Sequence, residues 1–318
     1  MHLLVPFAGT VSEAGRQALQ TLALPQLERL LAQLSPTQTF GTDEFTMSPP
    51  HELARAAAMG WPLVDGALPW AADLAVRAGL PAGEHAWALL NPVHLHAGTD
   101  HVHLTDPAEL ALDEATSQAL LEAVRHLFES EGFSLHFASA RQWLATHPIF
   151  DGLATSSLDR VVSRNVDPWL PDHRQARLLR RLQNEVQMVF YTHPLNEARE
   201  SAGLPTVNSF WCSGCGRLPP SASTPSVPAG STPTSGAPVI DDRLRAPALG
   251  EDWAAWCEAW RALDAGPIAE LLHSPAESRI TLCGERLARR WEPAPRSVWQ
   301  RLSGSFKRTA APHFLEPL

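Results

Sequence analysis

The chain is short of several residue types and patterns, and each shortage excludes a class of protein. Its 318 residues include one tyrosine and four cysteines, and so few thiols in so long a chain do not make the disulfide framework of a small secreted domain. No apolar run approaches the ~20 residues that a membrane-spanning helix needs. Met1–Thr10 lacks the basic stretch of a signal peptide. We therefore predict a cytoplasmic protein with reduced thiols and no membrane contact.

Positive charge is scarce as well. Lysine and arginine together number 25 against 34 aspartates and glutamates, which gives a formal net charge of -9. Binding to nucleic acid depends on neutralising phosphates, so this balance predicts no nucleic-acid partner. The arginines that do cluster, at Arg174, Arg177, Arg180 and Arg181, favour a small anion over a duplex.

The signatures of several common enzyme classes are missing too. The sequence contains no P-loop, GxGxxG, GxSxG or HExxH motif. Kinase, dinucleotide-dependent oxidoreductase, serine hydrolase and zinc protease functions therefore have no support from motifs.

What the sequence does contain is the pattern of an α/β protein. Leu3–Phe7 has the composition of a buried strand, and Asp172–Tyr191 has the apolar stripe of an amphipathic helix. Further strands are predicted at Phe133–Phe137 and Ser278–Cys283, and further helices at Ser12–Leu34 with a break at Pro25, His51–Met59, Leu68–Ala78, Asp113–Glu129, Ala140–Thr146, Trp253–Leu263 and Glu285–Trp291. From Ser303 onwards we predict a tail.

Four histidines lie close together in a segment that alternates with the period of a β-hairpin. His94 and His96 share one face of their strand, as do His101 and His103 on theirs. If residues 97–100 form the turn, His96 lies opposite His101 and the four imidazoles cluster, which suits zinc or another borderline metal. The alternative is a solvated sheet face, or imidazoles that bond backbone carbonyls.

The segment Thr192–Gly216 contains residue types that bind anions. Arg199 offers a planar guanidinium suited to carboxylate or phosphate, and Asn196 and Asn208 offer amide donors. Glycines near the end of the segment let backbone N–H groups approach an anion closely. The same composition fits a helix end, a turn and a core strand with a glycine-rich exit, so both interpretations stay open.

Two further features belong to the same part of the chain. Arg164 and Asn165 lie in a loop-like stretch, where they either join a ligand site or form part of a solvated surface. Cys212 and Cys215 form a CxxC pair, which is redox-active or half of a zinc site in some proteins. No second CxxC follows and no thioredoxin-like pattern surrounds the pair, so the pattern favours two buried thiols.

Several stretches in combination resemble the proteobacterial regulatory protein RpfE family. The matching stretches are SPPHELARA at 48–56, PVHLHAGTDHVHL at 92–104, SSLDRVVSRNVDPWLPD at 156–172, and the run at 177–216. That family is distantly similar to the archaeal-type cofactor-independent phosphoglycerate mutases of the alkaline phosphatase superfamily. The resemblance implies an α/β fold with a mostly parallel sheet, flanking helices and an α+β inserted lobe.

The mutase likeness also assigns roles to individual residues. It implies that the ligand-binding segment contains His193, Asn196, Arg199, Asn208 and Trp211, and that Ser48 stands where the mutases carry their phosphorylated serine. The metal ligands of that superfamily are not found, because no acid follows the first strand and no late Asp-His pair is recognisable in residues 239–318. Two-metal phosphoryl transfer needs those ligands, so a divalent metal is an expectation without identified donors.

The predicted organisation follows from these observations. A mutase-like region covers residues 1–216 with the inserted lobe at about 85–190, a Pro/Ser/Thr-rich linker or loop covers 217–238, and a C-terminal α/β segment covers 239–318. The leading function is a phosphoglycerate mutase-like protein that binds a small phosphorylated or carboxylated metabolite and has a degenerate metal site. If active, it is an isomerase that works through Ser48. The alternatives are a non-enzymatic regulatory protein whose tryptophan-rich surfaces bind a protein partner, and a zinc-binding module on the hairpin histidines.

Overall fold

The first strand forms where its apolar composition predicts, and it lies inside a five-stranded sheet built from both ends of the chain, with a neighbouring strand on each side. In the computed structural model we describe residues 1–81, 85–98, 101–171, 176–219, 237–293 and 310–318. The chain divides into unit 1, which comprises Met1–Pro62 and Ser226–Leu318, and unit 2, which comprises Leu63–Pro225.

Both units contain strands and helices. The strands are β1 His2–Val5, β2 Ser35–Phe40, β3 Trp87–Val93, β4 Leu95–Ala97, β5 Val102–Leu104, β6 Ser134–Ser139, β7 Gln142–Thr146, β8 Ser209–Gly216, β9 Val239–Ile240, β10 Arg279–Cys283 and β11 Ala288–Glu292. The helices are α1 Glu13–Gln20, α2 Pro25–Leu31, α3 Pro50–Ala58, α4 Trp70–Arg77, α5 Glu114–Glu129, α6 Leu158–Val161, α7 Ala176–Tyr191, α8 Pro194–Ser201, α9 Arg245–Leu249, α10 Trp253–Leu263, α11 Ala269–Leu271 and α12 Ala311–Leu315. The α/β class predicted from the sequence is confirmed.

The sheet of unit 1 has the strand order β2-β11-β10-β1-β9. β1 pairs in parallel with β10 and β9, whereas β11 pairs antiparallel with β10 and β2. Leu4, Phe40, Cys283 and Ala288 lie on one face, where Ala54 of α3 packs against them. Parallel pairing in unit 1 is therefore confined to the strands around β1.

Unit 2 is built on a sheet of order β6-β7-β3-β8, in which every described pairing is antiparallel. Helices α5 and α7 supply the largest apolar side chains that cover it, among them Phe128, Val186 and Phe190. Trp143 of β7 is fully buried in this core, and its indole nitrogen donates to Ser117 Oγ at 2.9 Å. This core fixes the positions of β8 and of the residues that precede it.

Two helix predictions were wrong. Ala140–Thr146 contains β7, which pairs with β6 and β3, and Glu285–Trp291 contains most of β11, which pairs with β10 and β2. In both places the ladder hydrogen bonds of neighbouring strands outweigh a local helical preference. The predicted tail contains the short helix α12, while 303–309 lies outside the described residues.

The two compact units differ in their bounds from the predicted inserted lobe, which stays a prediction. Unit 2 begins at Leu63 and ends at Pro225, whereas the inserted lobe was predicted at about 85–190. Of the predicted linker at 217–238, residues 220–236 lie outside the described part of the chain. The start of the helix predicted from Asp172 lies outside it as well, and the described helix α7 begins at Ala176.

Most of the described tryptophans pack inside the units, while Trp253 is half-buried, and the predicted protein partner stays a prediction. Of those that the structure describes, the buried ones are Trp61, Trp70, Trp87, Trp143, Trp169, Trp211, Trp256, Trp260 and Trp291. Trp256, for example, is fully buried and donates its indole N–H to the Phe7 carbonyl at 2.9 Å. Within the described residues, no helix combines the length and the apolarity that crossing a bilayer requires.

Candidate functional site

Two of the residues predicted to bind an anion, His193 and Asn196, lie at the start of α8. His193 caps this helix, and its ring nitrogen Nδ1 accepts from the Leu195 amide at 3.3 Å. Asn196 is 4% exposed and donates from Nδ2 to the carbonyls of Phe190 at 2.8 Å and Val207 at 2.7 Å. Its Oδ1 accepts from the Val207 amide at 2.9 Å. Both polar atoms of the Asn196 side-chain amide therefore form hydrogen bonds with backbone groups.

Arg199 lies one helical turn beyond Asn196 and is also buried. Its Nε donates to the Pro205 carbonyl at 2.9 Å, and one terminal nitrogen donates to the Leu110 carbonyl. Burial lowers the pKa of the guanidinium, while the carboxylate of Asp113 acts in the opposite direction. The guanidinium therefore links α8 to the two loops of unit 2 that contain Pro205 and Leu110.

Asn208 and Trp211 are engaged in the same way. Asn208 accepts from the Leu95 amide at 2.7 Å and donates to the Leu95 carbonyl at 2.8 Å, which joins the start of β4 to the chain before β8. The Trp211 indole donates to the Ser156 carbonyl at 2.9 Å. With their polar atoms bonded to backbone groups, these side chains explain the local fold, and the predicted anion contact gains no support from them.

Ser48, the candidate nucleophile, belongs to unit 1. It lies just before α3 and is 2% exposed, and its carbonyl accepts from the Thr46 hydroxyl at 3.1 Å. A phosphoryl donor would reach so deeply buried a hydroxyl only after the chain before α3 had moved. The role predicted for Ser48 stays a prediction.

The histidine hairpin forms, but in a different register from the predicted one. β4 and β5 pair His96 with His103, not with His101. The rings of His94 and His96 stand 6.3 Å apart, those of His101 and His103 5.1 Å apart, and His94 Nδ1 lies 2.8 Å from the Thr206 carbonyl. Across the described residues, no three histidine, cysteine, aspartate or glutamate side chains come together in a way that could hold a metal ion.

The described residues can also be compared with the two-metal centre of the proteins that the sequence resembles. Two-metal phosphoryl transfer requires several carboxylate and imidazole ligands around both ions. Val5–Gly9, the stretch that ends and follows β1, contains no such residue, and the described residues offer no ligand cluster elsewhere. The residues that the structure describes therefore do not fit a two-metal centre.

The predicted loop residues and basic helix residues are also placed. Asn165 Oδ1 accepts from the Asp167 amide at 3.2 Å, which makes a local turn. Arg180 donates to the Pro171 carbonyl at 2.7 Å, and Arg181 pairs with Glu131 from an exposed position. Arg164 is half-buried. Arg174 lies outside the described residues. These contacts fit a solvated, ion-paired surface.

A concave site that sequence reasoning missed lies in unit 1, on the sheet face opposite α3. The cavity has a volume of about 400 Å³ and is lined by Leu31, Pro36, Arg289, Trp291, His313, Phe314, Glu316 and Pro317. Its size falls within the range of small-molecule sites. The misassigned β11 explains the omission, because only a strand places alternate residues 289 and 291 on one face.

The walls of this cavity combine aromatic surface with a cation. The Arg289 guanidinium lies 5.9 Å from the centre of the Trp291 ring, and the Phe314 ring meets Trp291 edge-on at 6.4 Å. Within the described part of the chain, no carboxylate forms an ion pair with Arg289. A planar or apolar body with one negative charge is the chemistry that such walls accommodate.

The other face of the same strand carries a buried basic cluster. Arg290 is 9% exposed, donates to Gln38 Oε1 at 2.7 Å and stands 5.3 Å from the Phe40 ring. His2 lies near it and shares a 2.8 Å hydrogen bond with Thr281 Oγ1. Burial first, and then the positive charges of Arg290 and Arg279, lower the pKa of His2 to about 4. With so little of Arg290 exposed, this cluster bears on stability more than on ligand binding.

The depressed pKa of His2 predicts a loss of stability in acid. The unfolded chain protonates His2 near its ordinary pKa of 6.5, whereas the folded protein does so near 4. The contribution of His2 to the free energy of unfolding therefore has its full value above pH 6.5. It declines as the pH falls towards 4. After allowance for solvent screening, we expect the loss to be on the order of 2 kcal/mol.

Urea unfolding at pH 7 and pH 4.5 measures this effect in the wild type and in His2→Gln. The variant should retain more of its stability at the lower pH. His273→Gln, which alters an exposed histidine of unit 1, is the matched control and should behave like the wild type. Equal acid sensitivity of His2→Gln and the wild type would contradict the assignment.

Comparison with known proteins gives distant likenesses only. No family model and no curated protein matches the chain. Among solved structures, a cofactor-independent phosphoglycerate mutase from Thermoplasma acidophilum is 12% identical with a TM-score of 0.35, covering 96% of this chain and 95% of that one. The PH0037 protein of Pyrococcus horikoshii is 13% identical with a TM-score of 0.45, covering 91% and 86%. TM-scores this low carry no argument about fold, reaction or ligand.

Proposed function

We propose that this protein is a non-catalytic binding protein for a small carboxylated or phosphorylated metabolite, and that the ligand occupies the cavity beside Trp291. The observation that carries the proposal is the Arg289 guanidinium, which lies over an indole at the wall of a cavity of about 400 Å³. A guanidinium binds carboxylate or phosphate through parallel N–H groups. Trp291 and Phe314 supply the apolar surface that most small-molecule sites possess.

The charges around the cavity orient the ligand. Arg289 attracts the anionic group, whereas Glu316 on the lining repels it. The anion therefore binds at the β11 side, and the uncharged part of the ligand lies against Phe314 and Leu31. This arrangement favours a metabolite with a single acidic end over one with charges at both ends.

The function proposed for this protein does not include catalysis, because mutase chemistry needs groups that the described residues do not provide. Phosphoryl transfer of the mutase kind requires a metal-activated nucleophile, and the described residues supply neither the metal ligands nor an accessible Ser48. Because the sequence resembles phosphoglycerate mutases, 3-phosphoglycerate is one of the probes.

Ligand binding is tested by thermal shift and calorimetry with 3-phosphoglycerate, benzoate and inorganic phosphate. A ligand that binds only the folded state stabilises it by about 2.7 kcal/mol at a concentration of 100 Kd. We expect benzoate, which has one acidic end, to raise the melting temperature of the wild type more than 3-phosphoglycerate, which is charged at both ends, and Arg289→Gln to weaken benzoate binding at least tenfold. Absence of any shift in the wild type refutes the proposal.

Arg286→Gln is the matched control, because Arg286 is three residues away and pairs with Glu44 at 2.7 Å outside the cavity lining. It should bind the probes as the wild type does. Equal losses in Arg286→Gln and Arg289→Gln would show a general charge effect and would count against the cavity. Binding that survives in Arg289→Gln but is lost in Phe314→Ala would place the ligand in the cavity without the guanidinium contact.

A protein partner remains the second candidate, supported by an exposed apolar pair on α7. Met188 is 70% exposed and Tyr191 is 81% exposed, and their spacing of three residues places them on one side of the helix. Exposed residues of this size are common at partner surfaces. The double variant Met188→Ser/Tyr191→Ser should leave stability unchanged and abolish any partner binding that acts through this surface.

A further inference from the structure

The CxxC pair lies at an irregularity of strand β8. β8 pairs with β3 so that Trp87 lies opposite Gly216 and Leu89 lies opposite Ser213, which places one extra residue in β8. Such a β-bulge changes the side to which the following side chains point. In a regular strand, residues three apart point to opposite faces. Here the bulge turns Cys215 to the side of Cys212.

Gly214 makes this bulge sterically accessible. Its φ is +63°, a conformation that favours glycine. A Cβ atom at this position would lie 3.2 Å from Trp70 Cβ and 3.3 Å from the Ala71 nitrogen. The resulting separation between the sulfur atoms of Cys212 and Cys215 is 3.8 Å, and both cysteines are free. The two thiols are thus held side by side by the backbone.

We propose that Cys212 and Cys215 form a thiol–disulfide exchange site that reacts with low-molecular-weight disulfides. Cys212 Sγ, as a thiolate, attacks one sulfur of the small disulfide and releases a small thiolate, which takes up the proton that Cys212 lost. Cys215 Sγ then loses its proton and attacks Cys212 Sγ, which closes the protein disulfide and releases the second small thiol. The two protein sulfurs together lose two electrons, and the small disulfide gains them.

Exposure sets the order of attack. Cys212 is half-buried, whereas Cys215 is only 1% exposed in the core of unit 2. A small disulfide therefore reaches Cys212 first, and Cys215 resolves the mixed disulfide from within. The hydrogen bond with Cys215, followed by burial, raises the pKa of the Cys212 thiol well above its usual range. Because the thiolate is the attacking species, the rate rises about tenfold for each unit by which the pH is raised, as long as the pH stays below that pKa.

Oxidised glutathione is the probe, and the full-length native protein is the sample. The wild type should fall from four free thiols to two, and peptide mapping should find Cys212 linked to Cys215. Cys215→Ser should stop at a glutathione adduct on Cys212, while Cys212→Ser should form no adduct. Cys257→Ser, which removes a buried thiol of unit 1, should leave the exchange unchanged. Cys215→Ala replaces the serine variant if that protein does not fold.

Three results would overturn the proposal. In the first, the native wild type keeps four free thiols at pH 9 over a period in which the urea-unfolded chain loses two. In the second, mapping finds either cysteine linked to a different residue. In the third, Cys212→Ser takes up glutathione on Cys215 at the rate at which the wild type oxidises, which would reverse the order of attack.

Discussion

Replacing Arg199 by alanine is expected to lower the free energy of unfolding of unit 2 by about 3–5 kcal/mol. The side chain donates to the carbonyls of Pro205 and Leu110 while it is 6% exposed. Hydrogen bonds from a charged donor are worth about 1.5–3 kcal/mol each, and truncation leaves two carbonyls without their donor. Urea unfolding, together with hydrogen exchange of the unit 2 amides, measures the loss.

The same variant separates a structural role from a ligand role. Glu200→Ala changes the next residue of α8, which is exposed, and should alter stability by less than about 0.5 kcal/mol. If Arg199 instead served an anion, Arg199→Ala would keep its stability and lose affinity for 3-phosphoglycerate. If Arg199→Ala is as stable as the wild type, Arg199 would again be a candidate ligand-binding residue.

The sequence predicts much of the secondary structure, because apolar periodicity determines which face of an element is buried. α5 and α10 begin and end within one or two residues of their predicted positions, and the breaks at Pro25 and before α3 follow from the conformational limits of proline. The two wrong helices are explained by pairing. Nothing local to 285–291 shows that β2 pairs with it, since β2 is about 250 residues away.

The sequence predicts the candidate site less well, and the polar segment shows why. Asn196, Arg199 and Asn208 have the donor groups that bind anions, but buried carbonyls require donors just as anions do. Residue type does not distinguish the two uses. Only the positions of Pro205, Leu110 and Leu95 show that the donors serve the backbone.

The cavity beside Trp291 illustrates the opposite case, in which useful residues carry no sequence signal. Arg289 and Arg290 are neighbours in an ordinary basic pair, yet one stacks on Trp291 and the other is buried near Phe40. A strand directs successive side chains to opposite faces. A correct strand assignment for β11 would have placed the two arginines on opposite faces of the sheet.

Gly214→Ala is expected to lower the free energy of unfolding by about 2–5 kcal/mol. Holding an alanine at a φ of +63° costs roughly 1–2 kcal/mol, and crowding against Trp70 and Ala71 adds about 1–3 kcal/mol. Gly203→Ala isolates the first cost, since Gly203 has a φ of +71° and no neighbouring atom within 4 Å of the added carbon. Chemical denaturation of both variants gives the difference, which measures the crowding alone.

The outcome also bears on the two thiols, because the bulge is what brings them together. A Gly214→Ala protein that relieves its strain by losing the bulge would turn Cys215 away from Cys212, and oxidised glutathione would then leave a mixed disulfide in place of the closed pair. A variant that keeps the bulge should be less stable but should still close the disulfide. If Gly214→Ala proves no less stable than Gly203→Ala and oxidises normally, neither the crowding nor the glycine requirement governs this turn of β8.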